Sequence, residues 1–419
     1  MKSIRKLTQQ DIEAFKPLTV YAYAGQGMDE AAFKKREEMA EKILQLGEED
    51  VLCGHFEEDG RLSGSLRLLT QPLNFGGVEV TSVGIGTLAV DLFHKKEKIA
   101  LKLMKHSLEM AREKGVAMSM LDPFHIGFYR KMGYGMGAQI RKYQLKPKQF
   151  FNYNAKEGLV KLTDSDIKEI KEMYDRFYQQ HHGSMKQSEV EIAELLEGDK
   201  IITGFKKEGI LQGILLFTFQ QIGEETIYGT DLIIDEMITL TPDAFKAFST
   251  FIHCQADQVR YVLIETQDHS FAQYFDDPSS EDFTTFQTRY HELYRVGAGM
   301  MYRIIRMETI LEILTAKAKA EAFPSLCILL KDRLLPEQEG AYYVYQEENQ
   351  LTFSRQPMAT EMEVELEMDI ADFSALVMGS EKLRSLIFSG KATLSDHGSL
   401  PALESFLEGQ PLPVCISRF

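Results

Sequence analysis

The chain has no tryptophan, only four cysteines in 419 residues, and no apolar run long enough to span a bilayer. Cys53, Cys254, Cys327 and Cys415 form no Cys-x-x-Cys pair, which argues against a zinc site or a disulfide framework and for reduced thiols in the cytoplasm. The opening residues, MKSIRKLTQQDIEAF, turn polar at once and lack the apolar core of a secretory signal. Basic residues are also in deficit. The 47 Lys and Arg against 63 Asp and Glu leave a net charge of −16, so the basic face expected of a nucleic-acid binder is missing. The acidic excess serves solubility first, and it would also draw in cationic small molecules or basic protein tails.

What is present is an ordinary globular composition, 44% hydrophobic and 26% charged, spread over a length that exceeds one hydrophobic core. Two or three domains are expected, with boundaries at 1–148, 149–298 and 299–419. In the first, Ser3–Lys6 reads as a strand and Thr8–Lys16 as a helix stopped by Pro17. Glu30–Leu46 is a second helix, and Val51–Glu57 and Leu62–Pro72 form a strand pair joined through an Asp-Gly turn. Val78–Val90 is a long strand, Lys96–Lys114 a helix ended by Gly115, and Met118–Leu121 a buried strand. Phe124–Met132 reads as a short helix and Ala138–Leu145 as a returning strand. A similar order then recurs from Leu159 to Glu265, as if one fold were repeated. From Met301 on, a helix is followed by alternating strands, three further helices and an extended tail, QPLPVCISRF.

Candidate chemistry concentrates between Val83 and Gly135. The strand VGIGTLAV carries Gly84 and Gly86, and glycine weakens a strand unless a bulge or a closely approaching ligand needs the room. It leads into DLFHKKEKIALKLM, a basic turn opening a helix, where unpaired amides and a positive dipole suit a diphosphate. Lys95, Lys96 and Lys98 add charge there, although such lysines are ordinarily just solvated. Next comes LDPFHIGFYRKMGYG, with Tyr129 and Tyr134. A tyrosine on a short helix is by itself most simply a packing residue. His181 and His182 are adjacent on a helix and point apart, which does not make a metal site. His94 and His125 flank the region as potential substrate contacts.

The run SVGIGTLAVDLFHKKEKIA resembles the acetyl-CoA-binding strand and pyrophosphate loop of GNAT-type N-acetyltransferases, and FYRKMGYG resembles the segment that follows in the Eis-like (enhanced intracellular survival) branch. MYDRFYQQHHGSM, from Met173, is similar to the start of that branch's second GNAT-like domain. MMYRIIRMETILEIL, from Met300, is similar to the opening of its sterol-carrier-protein-like domain, and the tail ends on an aromatic residue as the family's does. The resemblance implies an α+β protein of two tandem GNAT-like domains with mixed sheets plus a C-terminal sterol-carrier-protein-like domain.

It implies that backbone groups of Leu88, Ala89 and Val90 bind the pantetheine arm and that the loop from Lys95 through Lys96 and Lys98 to Ala100 cradles the pyrophosphate. It further implies Tyr129 as general acid, the α-carboxylate of Phe419 as general base, and homo-oligomers, hexamers included. Acetyl-CoA would be the cosubstrate, with no metal, no nucleic acid and no membrane partner. The acceptor would be a primary amine of an aminoglycoside-like cationic small molecule or a lysine side chain. The loop departs from the family pattern by placing Lys98 where glycine is usual, Leu92 where proline is common, and Glu97 among the cations. A helical residue needs no positive φ, so lysine is expected to be tolerated. The alternative is a catalytically degenerate GNAT-scaffold binding protein.

Overall fold

A computed structural model of the chain describes residues 3–47, 49–196, 198–223, 229–280, 291–318, 323–357 and 362–417. The chain forms two compact units, one within residues 1–137 and 300–413, the other comprising 138–299 with 414–417.

The first unit begins with β1 (Ser3–Lys6), α1 (Ile12–Ala22), α2 (Glu30–Leu46), β2 (Asp50–Phe56), β3 (Leu62–Phe75) and β4 (Val78–Val90). It continues through α3 (Ile99–Glu113), β5 (Met118–Leu121), α4 (Ile126–Arg130) and β6 (Gly135–Met136). Pro17 does not stop α1 but sits inside it. An interior proline costs a helix about 3 kcal/mol. Here the continuing turn buries Leu18, Thr19 and Val20 beside Phe15, which offsets that cost.

The sheet runs β1-β2-β3-β4-β5, then Met301–Ile304, then β6. β4 and β5 are parallel, joined by α3, whose Ile99, Leu103, Met104 and Leu108 pack into the core against Leu66, Leu68, Val83 and Ile85. The strand next to β5 is therefore supplied from residues 301–304, antiparallel to it, and not from 138–145 as the order along the chain suggested. Alternation of apolar residues marks both segments as strands but carries no information about which edge each one joins.

Gln139–Leu145 instead pairs with Val259–Thr266 in the second unit's sheet. That sheet runs Arg295–Ala298, Gln139–Leu145, Val259–Thr266, Thr230–Thr239, Ile210–Gln221, Ile201–Lys207, Leu159–Lys161. Its one parallel pairing, Thr230–Thr239 with Val259–Thr266, is bridged by the helix Pro242–His253, as β4 and β5 are bridged by α3. The two sheets are tandem GNAT-like folds.

Within the first unit, residues after 304 form a five-stranded mixed sheet of Gln350–Ser354, Gly340–Glu347, Leu326–Lys331, Val364–Asp369 and Ala392–Leu394, with helices at Met307–Lys317, Ile370–Val377, Leu383–Phe388 and Leu400–Leu407. The whole chain is thus α+β, as expected. Arg303 and Asp332, both with wholly buried side chains, pair at 2.6 Å and link this region to the first sheet. Arg303 also donates to the carbonyl of Met132. The glycines of FYRKMGYG make room for this junction. Gly133 takes φ +86°, and a Cβ there would overlap the Arg303 guanidinium. A Cβ on Gly135 would strike the helix Ile370–Val377.

Candidate active site

Pairing between β4 and β5 runs from Ser82/Met118 to Ile85/Leu121 and goes no further, while β4 continues to Val90. The β3–β4 register shifts at the same place: Ser65 pairs with Ala89 and Arg67 with Gly86, so Leu66 faces both Thr87 and Leu88. This is a β-bulge, and Thr87 holds it with φ +48°. β5 ends at Leu121, so past Ile85 no strand among the described residues pairs with β4 on that side, which leaves a slot beside Leu88–Val90. Tyr23, at the end of α1, donates its phenol to the Leu88 carbonyl at 3.1 Å.

Beyond Val90, Asp91 caps a short turn by accepting from the Phe93 amide, and His94 lies 3.3 Å from Glu97. Lys96 and Lys98 then take left-handed backbone conformations, φ +70° and +62°. The expectation of a helical Lys98 is therefore wrong: α3 begins at Ile99, with Lys98 as its N-cap. The usual loop glycine is replaced at a position that does require positive φ, which a lysine adopts at a cost of about 1–2 kcal/mol. No side chain caps α3. The amides of Ile99, Ala100 and Leu101 thus lie at a helix start beside three exposed lysines, a set of donors that fits a diphosphate. The equivalent helix of the second unit differs. It opens on Pro242, which has no N–H, and the Thr241 hydroxyl accepts from the Ala244 amide.

β5 leads through Asp122–His125 into α4. His125 caps that helix, its Nδ1 accepting from the Phe128 amide, which turns Tyr129 inward. Tyr129 is 4% exposed and packs edge-on against Phe124, Phe128 and Tyr134 at centroid distances of 5.3, 5.1 and 6.1 Å. Its hydroxyl hydrogen-bonds no described residue. Burial holds its pKa far above the ordinary tyrosine value, with smaller pushes from nearby Tyr23, Tyr134 and Asp122. Tyr134 is also buried, but its hydroxyl is engaged with Ser119 at 2.7 Å.

Leu88, Ala89, Val90, Lys95, Lys96, Lys98, Ala100 and Tyr129 thus fall in one unit on β4, the loop after it, the start of α3, and α4. Phe419 lies outside the described residues. The tail before it is held within the second unit: the Val414 amide donates to the His182 carbonyl, and Gln267 exchanges two hydrogen bonds with the Cys415 backbone. His181 stacks on Phe177 with Nδ1 on that residue's carbonyl, a packing role. Tyr23 was not singled out from sequence, since nothing in TVYAYAGQG marks one tyrosine over the other. A shallow concavity of about 400 Å³ elsewhere, lined by Leu159, Ile201, Phe217, Phe219 and Phe251 in the second unit, lacks comparable chemistry.

Residues 3–137 match the acetyltransferase (GNAT) domain model, and residues 310–416 match the sterol carrier protein domain model. Three solved structures align over the full length of both chains. They are a GCN5-related N-acetyltransferase from Anabaena variabilis ATCC 29413 (18% identity, TM-score 0.80), a conserved protein of unknown function from Enterococcus faecalis V583 (20%, 0.79) and Eis1 from Mycobacterium abscessus (17%, 0.76). The chain has the fold of the Eis-like GNAT proteins. No curated protein matches the sequence. The GNAT match covers every candidate residue from Tyr23 to Tyr129. No described helix is long and apolar enough to cross a membrane.

Proposed function

We propose that the protein is a cytoplasmic acetyl-CoA-dependent N-acetyltransferase acting on a primary amine of a small molecule or a lysine side chain. The observation that carries this reading is Tyr129: a buried ring whose hydroxyl bonds no described residue, on the helix that follows β5. The strained backbone supports it. Left-handed conformations of non-glycine residues cost about 1–3 kcal/mol each and gather at functional sites. Three of the six such residues, Thr87, Lys96 and Lys98, fall on the slot and its loop, the others being Asn154, Glu208 and Glu348.

In this reading the backbone of Leu88, Ala89 and Val90 holds the pantetheine arm, and Lys95, Lys96, Lys98 and the amide of Ala100 hold the pyrophosphate. The thioester supplies an activated acetyl group: the amine nitrogen bonds to the carbonyl carbon as the carbon–sulfur bond breaks, one proton leaving nitrogen and one reaching sulfur. Tyr129 serves the sulfur. A free phenol near pKa ~10 would hand a proton to a thiolate near ~8.5 at modest cost. Burial raises that cost, so Tyr129 acts chiefly as a hydrogen-bond donor to the departing sulfur. The carboxylate of Phe419, near pKa ~3.5 when free, is a weak base, so it holds the amine while water carries the nitrogen's proton to solvent, and the departing thiolate takes its proton back from solvent. The buried thiols of Cys53, Cys327 and Cys415 have pKa values raised by burial, which disfavours an acyl-cysteine route.

The capped helix at Pro242 supports a second domain, 149–298, without a cofactor site of its own. Residues 1–148 would then form the catalytic domain and 299–419 the sterol-carrier-like domain, in a homo-oligomer. The competing reading, a GNAT scaffold that binds without catalysing, is separated by two measurements. Acetyl-CoA should raise the melting temperature, and a panel of primary amines should release free thiol from it. Stabilisation without thiol release would favour the competitor, and the absence of both would remove the cofactor site.

A further inference from the structure

Arg36 lies on α2, half-buried beside Tyr23. Its guanidinium carbon stands 5.4 Å from the Tyr23 ring centroid, and Nη2 donates to Gln26 Oε1 at 2.6 Å. Nη1 has only the soft sulfur of Met39, at 3.9 Å. Four buried or half-buried arginines of the same unit face a carboxylate, Arg67 with Asp50, Arg112 with Glu308, Arg130 with Asp372 and Arg303 with Asp332, whereas the half-buried Arg306 does not. Arg36 faces none among the described residues. Its own helix explains why. Although α2 is rich in glutamate, the residues at helical contact spacing from Arg36 are Ala32, Phe33, Met39 and Ala40. The adjacent Glu37 turns toward Lys16.

A guanidinium drawn partly out of water without a counter-charge is costly, and an incoming anion relieves it. Burial without a nearby acid lowers the Arg36 pKa from its ordinary value, consistent with a charge lacking compensation. The position gives the anion a role. The Tyr23 ring separates Arg36 from the Leu88 carbonyl, which the Tyr23 hydroxyl holds.

We infer that Arg36 is a specificity residue that receives a carboxylate on the acceptor, so that the preferred substrates are ω-amino carboxylic acids. One tyrosine ring and one hydrogen bond lie between the guanidinium and the β4 bulge. The carboxylate and the reacting amine of the acceptor must therefore be separated by a chain of several atoms, as in free lysine or 6-aminohexanoate. A polyamine presents a cation to Arg36 and is a poor acceptor, despite the acidic net charge of the chain. This inference rests on the acetyl-transfer reading of the slot.

The test compares matched acceptors on the full-length protein by thiol release from acetyl-CoA: 6-aminohexanoate against hexylamine, and lysine against cadaverine. A guanidinium–carboxylate contact predicts at least about tenfold higher kcat/KM for each acid. In Arg36→Gln that ratio collapses toward one, mainly through acceptor KM, and Arg36→Lys restores part of it. Equal kcat/KM for acids and amines in the wild type overturns the inference, and this arm needs no variant to fold. An Arg36→Gln effect on acetyl-CoA KM alone also overturns it, by assigning the arginine to a phosphate. Failure of the parent reading looks different: no thiol release with either series, yet 6-aminohexanoate and not hexylamine stabilising the CoA-bound protein to heat. That outcome removes acetyl transfer and keeps the Arg36 site.

Discussion

The phenol of Tyr23 donates to the carbonyl of Leu88 across 3.1 Å, tying the end of α1 to the bulge of β4. The carbonyl it holds belongs to the first of the three residues proposed to bind the pantetheine arm. Tyr23→Phe removes this donor and little else. A single neutral hydrogen bond contributes about 1 kcal/mol net. The variant should lose about that much stability in urea unfolding and show a several-fold higher KM for acetyl-CoA. Unchanged values of both would mean that the bulge holds itself.

Tyr129→Phe keeps the ring contacts with Phe124, Phe128 and Tyr134 and deletes only the hydroxyl. Loss of a hydrogen-bond donor to charge that develops in the transition state typically costs about 10²–10³ in rate. Single-turnover kinetics should show a fall in that range, with acetyl-CoA affinity by calorimetry within about twofold of wild type. A variant that turns over normally would take Tyr129 out of the mechanism.

Lys98→Gly tests the backbone of the pyrophosphate loop. Glycine adopts φ +62° without the Cβ clash, so the variant should gain about 0.5–1 kcal/mol despite the added freedom of its unfolded chain. Lys98→Ala keeps the clash and should show no gain. If the two variants melt together, the left-handed conformation is not a source of strain.

The α-carboxylate of Phe419 is proposed to position the amine, so the position of the chain's last residue should matter more than its side chain. Appending three alanines after Phe419 should abolish amine acetylation while leaving the melting temperature and the acetyl-CoA-dependent thermal shift intact. Normal turnover by the extended protein would show that the carboxylate lies outside the site.

Arg303 and Asp332 are both wholly buried, and the Asp332 carboxylate also accepts from the amides of Leu334 and Leu335. Arg303→Leu leaves that carboxylate without its counter-charge and should cost about 3–5 kcal/mol. Adding Asp332→Asn should recover a substantial part, read as a coupling energy in a double-mutant cycle. Additive losses would mean that the pair contributes nothing as a pair.

How much of this was legible beforehand depends on the range of the interaction. The helix at α3 announced itself through Ile99, Leu103 and Leu108, and the glycines of VGIGTLAV marked the strand in which the bulge occurs, one residue past Gly86. Capping of α4 by His125 and the burial of Tyr129 are local consequences of LDPFHIGFYRKMGYG. Backbone strain was not legible. Lysine has no preference for positive φ, so only the fold imposes it at positions 96 and 98, and the residue type pointed the other way. Tyr23 and Arg36 escaped because their partners, Leu88 and the Tyr23 ring, come from elsewhere in the fold. Pro17 misled for the opposite reason: a strong local signal gave way to burial of the turn that follows it.

Completing the first sheet with residues 301–304 constrains how the protein is made. On the ribosome, β5 has no neighbour on its outer side among the described residues until more than 300 residues have been polymerised, and β6, which among those residues pairs only with that late strand, waits equally long. The first sheet must therefore stand with one raw edge through most of synthesis, a state prone to wrong partners. For the same reason, a fragment cut at residue 137 would lack an interior strand of its own sheet.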